Sequence, residues 1–169
     1  MLFSKLTYPL LIAGFISTSS FAANIESTIP WGLISEDSAG VLFTPNFSNR
    51  TIIFNSIISH SVSGNQRIYF ELTNLDDSDI CSYESKYPDD DTMVFSGQAV
   101  KMLRWCKLSS DGSYYFYSYT PDTNRGHSYV VNLFKRATKP IKIRIDGDVI
   151  DFPVMGFTKA WNSAGGNAI

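Results

Sequence analysis

Along much of the chain, hydrophobic and polar residues alternate with a period of two, which is the pattern of strands with one buried face. Gln66–Asn74, QRIYFELTN, is the cleanest case: Ile68, Phe70 and Leu72 fall on one face, and Tyr69, Glu71 and Thr73 on the other. Arg50–Ser59, RTIIFNSIIS, is rich in isoleucine and reads as a neighbouring strand. HSVSGNQ between them is a turn cornered at Gly64-Asn65. Thr92–Phe95 and Ala99–Lys107 predict two further strands joined across Ser96-Gly97-Gln98, and Asp111-Gly112 then turns the chain into a strand over Ser113–Thr120. Near the C-terminus Ile141, Ile143 and Ile145 alternate, Asp146-Gly147 makes a hairpin turn, and Val149–Pro153 returns.

Two segments follow a different period. In TNRGHSYVVNLFKRATKP, the residues Val130, Leu133, Phe134 and Ala137 recur at three and four. This predicts a short helix with Ser128 as N-cap and Lys135-Arg136 in its last turn. Phe157, Ala160 and Trp161 share one face of a second, final helix. Residues 24–40 have no clear period, and Pro30 discourages a continuous helix there. Together the elements predict a mainly β, single-domain fold. It is an antiparallel β-sandwich or barrel-like sheet with one or two short helices near the C-terminus. An aromatic content of 14% supplies the rings to fill it.

The first residues change the picture. MLFSKLTYPLLIAGFISTSSFAA has a basic residue at Lys5, an apolar run from Leu6 to Ile16, and the small-x-small pattern Ser20-Phe21-Ala22. These are the parts of a secretory signal peptide, expected over residues 1–22, ahead of one β-rich domain over 23–169. The apolar run is roughly half of the ~20 residues that a spanning helix needs. An integral membrane segment is therefore not expected after cleavage. The expected compartment is the periplasm, with the extracellular space second. The chain carries 14 Lys+Arg against 16 Asp+Glu, and this weakly acidic balance offers no electrostatic reason to bind nucleic acid.

Cys81 and Cys106 are the only two cysteines, and in an exported chain an even count reads as a disulfide. Closing a loop of about 25 residues stabilises a fold by roughly 3 kcal/mol. The bond would tie the acidic loop Leu75–Thr92 to the strand that carries Cys106. A metal site is poorly supported, because His60 and His127 lie far from either cysteine in sequence. Asp76-Asp77-Ser78-Asp79 and Asp89–Asp91 lack the glycine and closing glutamate of an EF-hand. No cofactor is implied.

Catalytic sets are thin. The chain has no G-x-S-x-G elbow, no H-E-x-x-H and no glycine-rich phosphate loop, and it holds two histidines in all. Candidate partner-binding residues are easier to name. Tyr115, Tyr117 and Tyr119 share one face of the aromatic strand, with Tyr114 and Phe116 on the other. Whichever face is free would offer rings to protein or glycan. Asp89, Asp90 and Asp91 form an electronegative patch suited to a basic partner. Arg125 and His127, in NRGHSY, form the best polar constellation for an anion or carboxylate.

The C-terminal segment KIRIDGDVIDFPVMGFTKAWNSA, through Gly156, Phe157, Thr158, Ala160 and Trp161, resembles the ending of the invasion-associated locus B family of secreted bacterial proteins. The resemblance implies a non-enzymatic, β-rich envelope protein of a host-associated Gram-negative bacterium, and it carries over no functional residue. The expected function is that of an exported binding protein, an inhibitor or immunity protein against a toxin or lysozyme-like cell-wall hydrolase. The alternatives are a virulence-associated surface or adhesion accessory protein that binds host protein or glycan and, third, an envelope hydrolase with a cleft at Arg125 and His127.

Overall fold

The computed structural model describes residues 24–46 and 48–168, so the expected leader over 1–22 lies outside the described residues. In chain order the elements are β1 (Asn24–Ile29), β2 (Ser38–Thr44), β3 (Ile52–His60), β4 (Gln66–Asn74), β5 (Asp89–Phe95), β6 (Gln98–Leu108) and β7 (Tyr115–Pro121). They continue with α1 (Asn124–Arg136), β8 (Ile141–Ile145), β9 (Asp148–Phe152) and α2 (Phe157–Ser163). The strands form one antiparallel sheet in the order β1-β2-β3-β4-β7-β6-β5-β8-β9, nearly closed as a barrel. Of the two architectures expected, the barrel-like one is found.

Alternation fixes the inner face. Phe54 on β3, Phe70 on β4, Phe95 on β5 and Phe152 on β9 are all fully buried and meet inside the curve. Phe70 lies 5.7 Å from Phe54, 5.3 Å from Phe95 and 6.4 Å from Phe152 by ring centroids. Helix α1 fills the remaining space by laying Phe134 between Phe70 (6.1 Å) and Phe152 (5.9 Å). Helix α2 adds Phe157, 5.0 Å from Phe134, and Trp31 closes the stack at 5.0 Å from Phe157. Each such ring stabilises the fold by about 1.5–3 kcal/mol through area removed from water. Trp31 also satisfies its indole by donating from Nε1 to the Pro153 carbonyl at 3.1 Å.

Two tight hairpins set the register. Ser96-Gly97 joins β5 to β6, and Asp146-Gly147 joins β8 to β9, each with positive φ at both residues (47° and 91°; 48° and 91°). That is the turn geometry whose twist matches the strands it joins. The gap between the sheet edges is stitched by Asn46, whose backbone N–H and Nδ2 both donate to Asp148 Oδ1, at 3.0 and 2.8 Å.

Residues 24–40, which have no clear period, contain β1 and the start of β2, and five of the six β1 residues are exposed. Two expectations need correction. The predicted strand over Thr92–Phe95 begins at Asp89, so the second acidic cluster is strand and not loop. The N-cap of α1 is Thr123, not Ser128: Thr123 is extended (φ −99°, ψ 152°), and its Oγ1 accepts from the Gly126 N–H at 3.0 Å. Gly126 in the first turn disguises a helix that starts before its apolar stripe does.

Candidate interaction surface at one end of the barrel

Between β4 and β5 the chain makes a long excursion, residues 75–88, across one end of the barrel. Composition alone would leave such an acidic, serine-rich segment loose. It is pinned at both neighbouring strands instead. Cys81 is bonded to Cys106 of β6. Ser85 N–H donates to the Cys106 carbonyl at 2.8 Å, and Cys106 N–H donates back to Ser85 Oγ at 3.0 Å. On the β7 side, Ile80 N–H donates to the Tyr115 carbonyl at 3.0 Å, and Tyr115 N–H donates to Asp79 Oδ1 at 2.7 Å. At its root, Asn74 Nδ2 donates to the Ser78 carbonyl (3.1 Å) and to Ser78 Oγ (3.0 Å). The segment is thus a strap that continues the pairing of β6 and β7 where β5 and β4 leave off.

The strap presents two rings to solvent, Tyr83 at 75% and Tyr87 at 71% exposure, with Lys86 Nζ 5.3 Å from the Tyr87 ring centroid. Asp76, Asp77, Asp79 and Glu84 of the same segment are exposed too, and Asp90 is exposed on the outer face of the adjoining strand. Asp76 is held below the usual carboxylate range by hydrogen bonds from the Ser78 hydroxyl and backbone. Neither tyrosine was expected as a contact residue. The available signal was two aromatics in a polar loop beside a half-cystine.

Beneath the strap, the inner ends of β5, β6 and β7 converge on Arg104. Its Nη1 reaches Asp91 at 3.0 Å and its Nη2 reaches Asp89 at 3.3 Å, and its guanidinium carbon lies 4.8 Å from the Tyr117 ring centroid. Cross-strand pairing makes this meeting: Asp89 is opposite Arg104 on β6, and Arg104 is opposite Tyr119 on β7. Arg104 shares its face with Val100, Met102 and Cys106, a parity already present in the sequence. Asp146, at the neighbouring β8–β9 turn, has its carboxyl raised above the usual range by burial and by Asp91, with Arg104 opposing. Two buried atoms at this cluster, Arg104 Nε and the Tyr119 hydroxyl, have no partner among the described residues.

The structure therefore divides the expected contact residues. Asp89 and Asp91 lie on the Arg104 side of β5 and both pair with its one guanidinium, Asp89 staying exposed; Asp90 lies on the outer face. The Tyr115-Tyr117-Tyr119 face is the inner one, because Tyr119 pairs with core Phe70 on β4. Tyr119 is fully buried and is no contact residue, while Tyr115 and Tyr117 are half-buried under the strap. Tyr114 and Phe116 take the outer face, 6.2 Å apart by ring centroids.

Arg125 and His127 lie at the opposite end, in the first turn of α1, and do not form one site. Arg125 is exposed and lines a shallow cleft with Lys101 and Gln98. The His127 ring turns away against Trp161, at 5.8 Å, with Nε2 buried and unpartnered. Burial, and secondarily Arg67, lowers its pKa to about 4, so it is neutral at physiological pH. Among the described residues, no three His, Cys, Asp or Glu side chains are grouped to hold a metal ion, and no helix is long and apolar enough to cross a membrane. Compared with known proteins, the chain matches no family model, no curated sequence and no solved structure.

Proposed function

We propose that the chain is an exported, non-catalytic envelope protein that binds another protein through the strap. The class that fits best is an inhibitor or immunity protein against a basic toxin or lysozyme-like cell-wall hydrolase. One observation carries this reading: Tyr83 and Tyr87 stand exposed on a segment locked by a disulfide and by main-chain bonds to two strands, and the same segment carries the exposed carboxylates Asp76, Asp77, Asp79 and Glu84. A tyrosine offers large contact area with a hydrogen-bonding tip at low entropy cost. A backbone already fixed before binding saves the ordering cost that a free loop would incur. The surrounding carboxylates steer a basic partner and select against acidic ones. The disulfide fits an oxidising compartment.

The test is association kinetics with a basic partner once captured. Glu84→Gln with Asp90→Asn is expected to slow association about tenfold at low salt and little at high salt. An on-rate unchanged at low salt would remove the carboxylates from the account.

A further inference from the structure

The outer face of the sheet carries a second feature, remote from the strap in chemistry. On β7 the outward side chains at mid-strand are Ser118 and Thr120, both small and almost fully buried. The strands on either side carry tall ones. β4 presents Tyr69 and Arg67, and β6 presents Leu103, Trp105 and Lys107. Small residues between large ones make a trough along β7 of about 660 Å³, closed at one end by the β3–β4 hairpin at Ser61–Asn65.

It has flat rings and a cation on each wall, and a closed floor in which the Thr120 hydroxyl donates to the Ile68 carbonyl at 2.9 Å. Arg67 donates from Nε to Thr120 Oγ1 at 3.3 Å and from Nη2 to the Pro121 carbonyl, which fixes the guanidinium and leaves Nη1 without a partner among the described residues. Lys107 is exposed and has no ion-pair partner among the described residues. Asp122 is the one carboxylate in the lining. Glu71, next along β4 and opposite Ser118, has its carboxyl raised above the usual range by burial, with Lys107 opposing. The lining thus sets two cations, Arg67 and Lys107, against one carboxylate, Asp122, beside the rings of Tyr69 and Trp105, with Glu71 adjacent to Lys107.

A peptide is the poorer occupant. Extended peptides gain most of their affinity from main-chain bonds at an open sheet edge, and here β7 is paired on both sides, with β4 and β6. Stacking on rings, the polar side chains of Ser61, Ser63 and Asn65 at the closed end and cations at the walls match the faces, hydroxyls and acid groups of sugars.

We propose that the trough between Tyr69 and Trp105 binds a linear, carboxylate-bearing oligosaccharide, with sugar rings against the aromatic walls and carboxylates toward Arg67 and Lys107. The site shares no residue with the strap, so either can fail alone.

The test is calorimetric titration of the whole oxidised protein with hyaluronan hexasaccharide, neutral chitohexaose and a hexaglutamate peptide. Saturable hyaluronan binding is expected, with chitohexaose and hexaglutamate each at least about tenfold weaker. Lys107→Gln, a change at an exposed position, is expected to weaken hyaluronan about tenfold, and Trp105→Ala likewise, while Tyr83→Ala leaves it unchanged. Absence of hyaluronan binding, equal binding of hexaglutamate or chitohexaose, or indifference to both Lys107→Gln and Trp105→Ala would overturn the proposal.

Discussion

Ser85 and Cys106 exchange two hydrogen bonds, backbone to carbonyl at 2.8 Å and backbone to hydroxyl at 3.0 Å, two residues beyond Arg104, where β5 stops pairing with β6. The strap is therefore held twice, by these bonds and by the disulfide from Cys81. Replacing both cysteines by alanine is expected to cost about 3 kcal/mol in urea unfolding, the loop-closure value for their separation of 25 residues. The far-ultraviolet circular dichroism should stay native, because the sheet does not depend on the bond. A loss of β signal in the folded baseline would show that the disulfide organises the barrel itself.

Arg104 and Tyr119 lie opposite each other across β6 and β7, and each has a buried atom with no partner. Tyr119→Phe removes the orphaned hydroxyl and is expected to raise stability by about 1 kcal/mol. Arg104→Met leaves Asp89 and Asp91 facing each other and is expected to lower it by about 2 kcal/mol. That is less than a fully buried pair would cost, since Asp89 is 66% exposed. Chemical denaturation of both variants decides the matter; a destabilised Tyr119→Phe would mean that the hydroxyl has a partner.

His127 makes stability depend on pH. Its folded pKa of about 4 lies below the ordinary 6.5 because burial, and then Arg67, disfavours the charged ring. Above pH 6.5 the ring is neutral in both states and imposes no penalty. Between 6.5 and about 4 the unfolded chain binds a proton that the folded chain does not, so stability falls across that window and levels off below it. The melting temperature of the wild type minus that of His127→Phe should drop from pH 7 to pH 4. A difference that stays flat over that range would contradict the buried, neutral imidazole.

Much of the fold was legible because alternation reports directly on a half-buried strand. β4 and β8 have the boundaries read from Gln66–Asn74 and Ile141–Ile145, and the Asp146-Gly147 turn lies where its chemistry put it. The Gly-Phe-Thr ending has a packing reason as well: a Cβ at Gly156 would come within 2.9 Å of the Trp31 carbonyl oxygen, and φ there is 92°. What stayed hidden depends on partners distant in sequence. Alternation shows that Tyr115, Tyr117 and Tyr119 share a face but not which face is inward; Phe70 decides that. Three successive aspartates read as loop until Arg104 opposite gives two of them a reason to enter a strand. Tyr83 and Tyr87 carry no periodic signal at all, since an exposed strap has no core to pattern it.

The most direct test of the strap as a protein-binding surface is capture from a periplasmic and culture-supernatant extract of the source organism. The mature, oxidised protein would be compared with a Tyr83→Ala/Tyr87→Ala variant of equal stability. The account predicts one stoichiometric, salt-sensitive, basic protein held by the wild type and reduced at least about tenfold on the variant. Equal recovery of the same partner on both proteins, or no protein retained by the wild type, would contradict it.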